Sequence, residues 1–285
     1  MPLQPPEGDW PPPPGPEAER LAPGRVLRRL GVVPEDAMRE ALWREVLTAL
    51  PPTDVLPILA EIRRALAAGE LAGRLGWLAL VRTLEALRGG PIALKLYLHA
   101  KLAGDEATTS LLLEPPPARK AEAHALQRPP LDRDREITLG ERRAWARKHD
   151  RAVLARLLYD PDPGVVLNLL NNPRITEADV LRVASRRPTV APVLQTVFRH
   201  ARWGRRRPVQ LALVLNPYTP VDTACGLVAL LDRESARKVR QDLAVHPTVR
   251  TTAAIMLGEY LTRPLPARDA IEVPAEAVGE PPAEG

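Results

Sequence analysis

The densest chemistry in this chain lies in one segment, FRHARWGRRRP, Phe198 to Pro208. Arg199, His200, Arg202, Arg205, Arg206 and Arg207 crowd around a single Trp203 and Gly204. Guanidinium groups neutralise phosphates and acidic side chains, and an indole face stacks on a base or anchors a protein interface. Trp203, Arg199, Arg202, Arg205, Arg206 and Arg207 are therefore the candidate binding residues. Two readings of the segment stand side by side. In one it meets a polyanion or a protein partner. In the other it is an inter-helix turn in which Trp203 plugs the seam and the arginines solvate the rim and the preceding helix end.

The other polar candidates point away from catalysis. Glu141, Arg142, Arg143, Trp145, Arg147, Lys148 and His149 fall on one predicted helix, with Arg142 near Trp145 and charge spread round the axis, as in a solvated first cap. The histidines, His99, His124, His149, His200 and His246, sit on separate segments, and none is spaced as a pair of helix-face metal ligands. His246-Pro247 reads as a repeat end akin to Asn-Pro. Cys225, the single cysteine, reads as core packing without a base beside it. It excludes an internal disulfide or a thiolate zinc cluster and fits a reducing cytoplasm. No Gly-rich phosphate loop, GxSxG elbow or paired-carboxylate motif occurs. The expectation is a non-enzyme with no cofactor and no metal, the remote alternative being a site assembled from dispersed residues.

Composition indicates how such residues are carried. Hydrophobic residues make up 45% but aromatics only 4%, so the core must be Leu, Val and Ala, which is helix chemistry. Arg far outnumbers Lys, and abundant Ala, Pro and Gly accompany it, a usage that fits a GC-rich bacterial genome. Distribution is more telling than total: residues 139–263 hold 21 basic against 11 acidic side chains, while residues 1–138 are near balance and residues 264–285 are acidic. The N-terminus lacks the basic start and apolar run of a secretory signal, and no apolar stretch approaches the ~20 residues of a membrane helix. A cytoplasmic protein without membrane association is expected.

Punctuation by proline and glycine divides the chain. Residues 1–22 predict a disordered Pro-rich arm carrying Trp10. Residues 23–113 predict a compact antiparallel bundle of four helices. One follows Pro34; the next is capped by Thr53 and closed by Gly69; a third runs from about Leu71 to Leu87; a fourth runs from Pro91 to near Gly104. Residues 114–138, dense in proline and charge, predict a linker and the domain boundary. Residues 139–263 predict a helical repeat domain, and residues 264–285 an acidic disordered tail. The fold class is all-α: an N-terminal helical bundle followed by a short α-solenoid of HEAT/armadillo-like repeats.

The repeat shows at an offset of 44 residues, which lays Val165 to Pro173 on Val209 to Pro217 with apolar positions matched and Asn-Pro closing both. Val180, Leu181, Val183 and Ala184 then fall on Ala224, Cys225, Leu227 and Val228, and a partial third copy near Ala253 puts Ile255 and Leu257 at Leu211 and Leu213. Asn tolerates the end of a helix and proline cannot continue it. Thr176 with Asp179 predicts a helix-start box, Thr219-Pro220 a cap plus first-turn proline, and Pro188-Thr189 another helix start. The run DPDPGVVLNLLNNPRIT at Asp160 to Thr176, with its echo VQLALVLNPYTP at Val209 to Pro220, resembles the bacterial leucine-rich-repeat-variant modules, and more loosely HEAT and armadillo repeats. The resemblance covers about residues 139–263 and implies an α-solenoid used as a scaffold or binding surface. That family's prototype also carries a cysteine-rich iron–sulfur segment, for which this chain has no counterpart.

The functional expectation is a non-catalytic adaptor presenting a partly basic helical-repeat surface to another protein. The alternative is nucleic-acid or other polyanion binding through the same arginines. The acidic tail reads most simply as a disordered solubiliser; the sharper hypothesis is that it screens that surface and competes with an anionic partner.

Overall fold

A computed structural model describes residues 21–112, 115–126 and 135–259, all in helices, turns and irregular connections. Fifteen α-helices and one short 3₁₀ turn make up these residues, and among them there is no strand. No helix there is long and apolar enough to cross a membrane. Residues 1–20 of the expected arm and the whole of the expected acidic tail, 264–285, lie outside the described residues, as do parts of the expected linker. The chain divides into two compact units, residues 1–77 and 78–285.

The first unit holds α1 (Pro23–Val32), α2 (Asp36–Ala49), α3 (Pro52–Ala67) and the opening turns of α4 (Leu71–Ala86). Prolines at the first turns of α1 and α3 cost nothing there, because those amides have no helical acceptor. Thr53 does not cap α3: Pro51 occupies that position and no side chain bonds the first turn. Leu30, Trp43, Val46, Ile58, Leu59 and Ile62 form the core. The Trp43 indole N–H donates to the Gly76 carbonyl at 2.8 Å. Buried Arg39 closes the end of α1, donating to the Leu30 and Val33 carbonyls and to Asp36. The α1 helix is an addition to the four helices that the sequence expectation placed within residues 23–113, the first of which followed Pro34.

The second unit begins inside α4 and continues through α5 (Pro91–Leu102), α6 (Glu106–Leu112), a 3₁₀ turn at Ala123–Ala125, and α7 (Leu139–Trp145). The series runs on through α8 (Arg151–Leu157), α9 (Pro163–Leu170), α10 (Glu177–Ser185), α11 (Ala191–Arg199) and α12 (Arg207–Leu215), then α13 (Val221–Val228), α14 (Arg233–Gln241) and α15 (Pro247–Met256). The expected break at 114–138 does not coincide with the division of the units. The α6 helix, which sequence periodicity did not single out, packs against α13 and α15. Residues 115–126 lie on the later helices, with the Arg119 amide donating to the Pro217 carbonyl at 3.0 Å and Leu126 buried. A glycine sets the approach of α4 to α13: a Cβ on Gly226 would meet both methyls of Val81 at 2.6 Å.

One turn recurs along the later helices. At Asn172, Asn216 and Asp242 the side-chain oxygen accepts the amide two residues on, at 2.9, 3.1 and 2.9 Å. The carbonyl of the same residue accepts the amide three residues on, from Ile175, Thr219 and Val245, each buried. Four residues on, at Thr176, Pro220 and His246, the next helix starts. The third copy of the turn is therefore Asp242, and His246-Pro247 begins a helix where the sequence pattern assigned a repeat end. The 44-residue register fails for that copy, since Ile255 is exposed and Leu257 lies just past the end of α15.

The capping predictions divide on the same turns. Thr176 and Asp179 form the expected reciprocal box. Thr219 does not cap α13; its hydroxyl donates back to the Leu213 carbonyl at 2.7 Å, satisfying the end of α12. The helix after Pro188-Thr189 starts only at Ala191, after Val190.

Candidate functional site

The arginine-rich segment joins the end of α11 to the start of α12, and the second half of α4 meets it. Arg82 and Glu85 lie three residues apart near the end of α4 and are neighbours on its surface, and Arg88 follows in the turn after the helix. Arg82 is buried and donates to the Phe198 carbonyl at 3.1 Å, its guanidinium 5.5 Å from the Phe198 ring centre. Glu85 takes the Arg199 Nε–H at 2.9 Å, and Arg88 pairs with Asp222 in the first turn of α13. Gly204 makes the turn possible, because a Cβ there would stand 2.0 Å from the Phe198 carbonyl oxygen.

Trp203 is the pivot. It is 1% exposed, and its indole N–H donates to the Leu170 carbonyl at 2.9 Å, closing the C-terminal end of α9. This corrects its place among the binding residues: the ring faces the interior and offers no surface to a base or a partner. His200 sits beside it. Its Nδ1 accepts the Trp203 amide at 3.3 Å and its Nε2 lies 3.2 Å from Asn171 Oδ1, a pairing satisfied by a neutral ring protonated on Nε2. Burial, then the nearby Arg202 and Arg82 charges, lower its pKa in agreement with that state.

The five arginines of the segment are exposed but not equivalent. Arg199 is held by Glu85, and Arg206 lies 3.6 Å from Glu177. Arg202 stacks on the outer face of Trp203, 4.2 Å from the ring centre. Arg206 is the N-cap of α12 and Arg207 its first residue, so with Arg205 they place positive charge at the positive end of a helix dipole. The segment thus gathers its cations on the surface, while Trp203 supports them from beneath.

Sequence spacing missed the buried partners. Glu85 is sunk in the seam with its pKa raised: burial outweighs the opposing hydrogen bond and charge of Arg199 and the charge of Arg88. Its Oε1, Arg88 Nε and the Thr223 hydroxyl make no hydrogen bond. Arg82 and Glu85, at i and i+3 after a run of apolar residues from Leu75 to Val81, were the available signal, since such spacing makes them neighbours on the helix. At the other expected cap, α7 ends at Trp145, so Arg147, Lys148 and His149 follow the helix instead of riding on it. Arg142 is not solvated either: its Nε lies 2.7 Å from the buried Asp160 carboxylate.

These groups can form ion pairs and cap helix ends; the seam contains no hydroxyl or thiol nucleophile held by a base. Cys225 is buried, and burial pushes its thiol up to about 12. Among the described residues no group of three or more His, Cys, Asp or Glu gathers in a way that could hold a metal ion. Comparison with protein-family models, curated proteins and solved structures finds no match for the chain.

Proposed function

We propose that the chain is a non-catalytic adaptor whose later helices act as a short α-solenoid of HEAT/armadillo-like units, related in kind to the bacterial leucine-rich-repeat-variant modules. The recurrent turn at Asn172, Asn216 and Asp242 supports the repeat reading. So do the Asn172 and Asn216 amides, which reach back to the ends of α7 and α10. Each such unit leaves an apolar face that only a neighbour can cover. The partner is another protein with an acidic surface, met by the row Arg202, Arg205, Arg206 and Arg207.

The observation that carries this reading is the electrostatic position of Arg205, Arg206 and Arg207. Cations at a helix N-terminus oppose the dipole by a few tenths to about 1 kcal/mol each at low salt. Three in succession set like charge against the positive end of the dipole, whereas an anionic surface docked there meets both the side chains and the dipole. Nucleic acid is the second reading, favoured by the same arginines, but the burial of Trp203 removes base stacking from it.

The test is co-purification of tagged full-length chain, with and without nuclease, compared with the variant R202E/R205E/R207E. The expected result is a protein partner retained after nuclease and lost from the variant at moderate salt. Retention by the variant overturns the role of this surface. Loss of all bound material to nuclease moves the assignment to nucleic acid, and steep salt dependence of polynucleotide affinity would then be measured as its signature.

A further inference from the structure

Away from the arginine row, residues 115–126 lie along the later helices and leave a groove of about 460 Å³. Its walls are mainly apolar and rich in proline: Pro117, Pro161, Pro163, Val190, Pro192 and Tyr218. Arg119 and Lys120 stand exposed on the 115–126 side, with acidic Glu122 beside them in the lining. The wall is fixed, because the Arg119 amide is bonded to the Pro217 carbonyl and Leu126 is buried. Rigid prolines beside an aromatic edge match the threefold polyproline II helix, which brings little chain entropy to lose. The basic rim selects an acidic version of it.

We propose that this groove is the docking site for the chain's own acidic, proline-containing tail, centred on Gly279-Glu280-Pro281-Pro282-Ala283-Glu284. Three features of the chain single out that segment. It combines paired prolines with flanking carboxylates, complementing apolar walls and the Arg119 and Lys120 rim. It springs from Glu259, the last described residue of the unit that contains the groove. Its 26 residues reach about 80 Å in polyproline II form, well beyond the ~17 Å radius of gyration of a compact body of about 200 residues. The inference is independent of the arginine row and goes beyond the adaptor reading. Docked in this way, the tail occupies a peptide-binding groove until a stronger acidic proline-rich ligand displaces it.

The test uses full-length protein with two added cysteines, A118C and G285C, carrying nitroxide labels; buried Cys225 stays unlabelled. Ala118 is exposed and outside the groove wall. Distances are measured by electron double resonance, with unlabelled protein in excess to remove intermolecular pairs. The expected result is a narrow short-distance population that is lost in P192E, a surface change at the wall, and in E280K/E284K. Circular dichroism and the unfolding midpoint of P192E should match the parent, so that loss reports the groove and not the fold. A broad distribution unchanged by P192E overturns the proposal. So does a short distance that vanishes on dilution with unlabelled chain, which assigns the groove to a second copy. Binding of an added peptide of residues 1–20 while the tail distribution stays broad also overturns it, in favour of the other proline-rich end.

Discussion

The recurrent turn makes a prediction in which the same exchange has opposite consequences at equivalent positions. Asn172 and Asn216 use both ends of the amide: Oδ1 accepts within the turn, and Nδ2 donates to two carbonyls at the end of an earlier helix, at 2.8 and 2.8 Å for Asn172 and at 2.8 and 3.0 Å for Asn216. Asp242 makes the same turn with its acceptor, while the end of α14 is served instead by Arg250 Nε, which donates to the Arg240 carbonyl at 3.2 Å. Asn216→Ala removes the donor from the buried Ala184 carbonyl and the acceptor from the buried Tyr218 amide. At roughly 1–3 kcal/mol for each buried group left unsatisfied, the cost is about 2–6 kcal/mol. Asn216→Asp keeps the turn but points a carboxylate oxygen at two carbonyl oxygens in a site 2% exposed, and should cost about 3–5 kcal/mol at neutral pH. Asn172→Asp should behave alike, whereas Asp242→Asn should cost under about 1 kcal/mol, the scale of one charge interaction with Arg250. Urea unfolding gives the magnitudes, and hydrogen exchange of residues 177–228 localises the Asn216 effect. Equal stability of Asn216→Asp and the parent, or an equal loss at Asp242→Asn, would refute the assignment of these three residues to one motif with two chemistries.

Other consequences follow from the same contacts. Trp203→Phe, which loses the indole bond to Leu170 and some volume, should destabilise by about 1–3 kcal/mol while leaving polynucleotide affinity at low salt unchanged; weakened affinity would restore Trp203 as a contact residue. Asp179 is held at about 2, chiefly by its hydrogen bonds from Arg151, so its contribution is present above the ordinary carboxylate range and lost as pH falls toward 2. In Arg151→Ala the melting temperature should fall at neutral pH and decline less steeply between pH 4 and 2; parallel curves would exclude the pair as a source of acid sensitivity. Glu85 has the opposite sign: with its folded pKa raised, the parent loses stability as pH climbs from the ordinary carboxylate range through that value. Glu85→Gln should therefore gain on the parent over that interval, and a constant offset between the two would argue against a desolvated carboxyl. Removing residues 266–285 should tighten polyanion binding at low salt if the tail screens the basic surface; unchanged affinity dismisses that role.

Local chemistry was legible in the sequence where one residue type did one job. Asn-Pro marked two of the turns, and Thr176 with Asp179 marked a helix start, because these devices act within four residues. Positive-φ Gly69, Gly89 and Gly104 fall just after helices that the sequence already ended there. Asp242 was missed because its turn lacks proline, and Thr219 was misassigned because its hydroxyl had two helix ends within reach. The position of α4 was not legible. Its residues 81–86 carry apolar and charged groups that fit a bundle face equally well, and the notch at Gly226 and the carbonyl of Phe198 distinguish their actual partners. The candidate site was half visible for the same reason: the arginines are consecutive, but Glu85 and Asp222 come from 114 residues before Arg199 and 134 residues after Arg88.

Why a charged face should be buried at all along 82–88 follows from what an apolar one would permit. Leucines at 82, 85 and 88 would bind the end of α11 and the start of α13 about as well in several registers, since hydrophobic contact is non-directional. Burying these charges carries a desolvation cost that pairing only partly offsets, and the raised pKa of Glu85 records that cost directly. Directionality is what the seam receives in return. Arg82 is held by the Phe198 carbonyl, Glu85 by Arg199 and Arg88 by Asp222, so sliding α4 by one turn breaks all three contacts at once. The same contacts fix where α11 ends, hence where Trp203 enters and which way Arg202 to Arg207 face. A double-mutant cycle on Glu85 and Arg199, read together with Trp203, separates this from simple attraction: altered exposure of Trp203 in either single variant, with no further change in the double, is the signature of a positioning pair. Strong coupling with Trp203 unmoved would mean that the pair only holds the helices together.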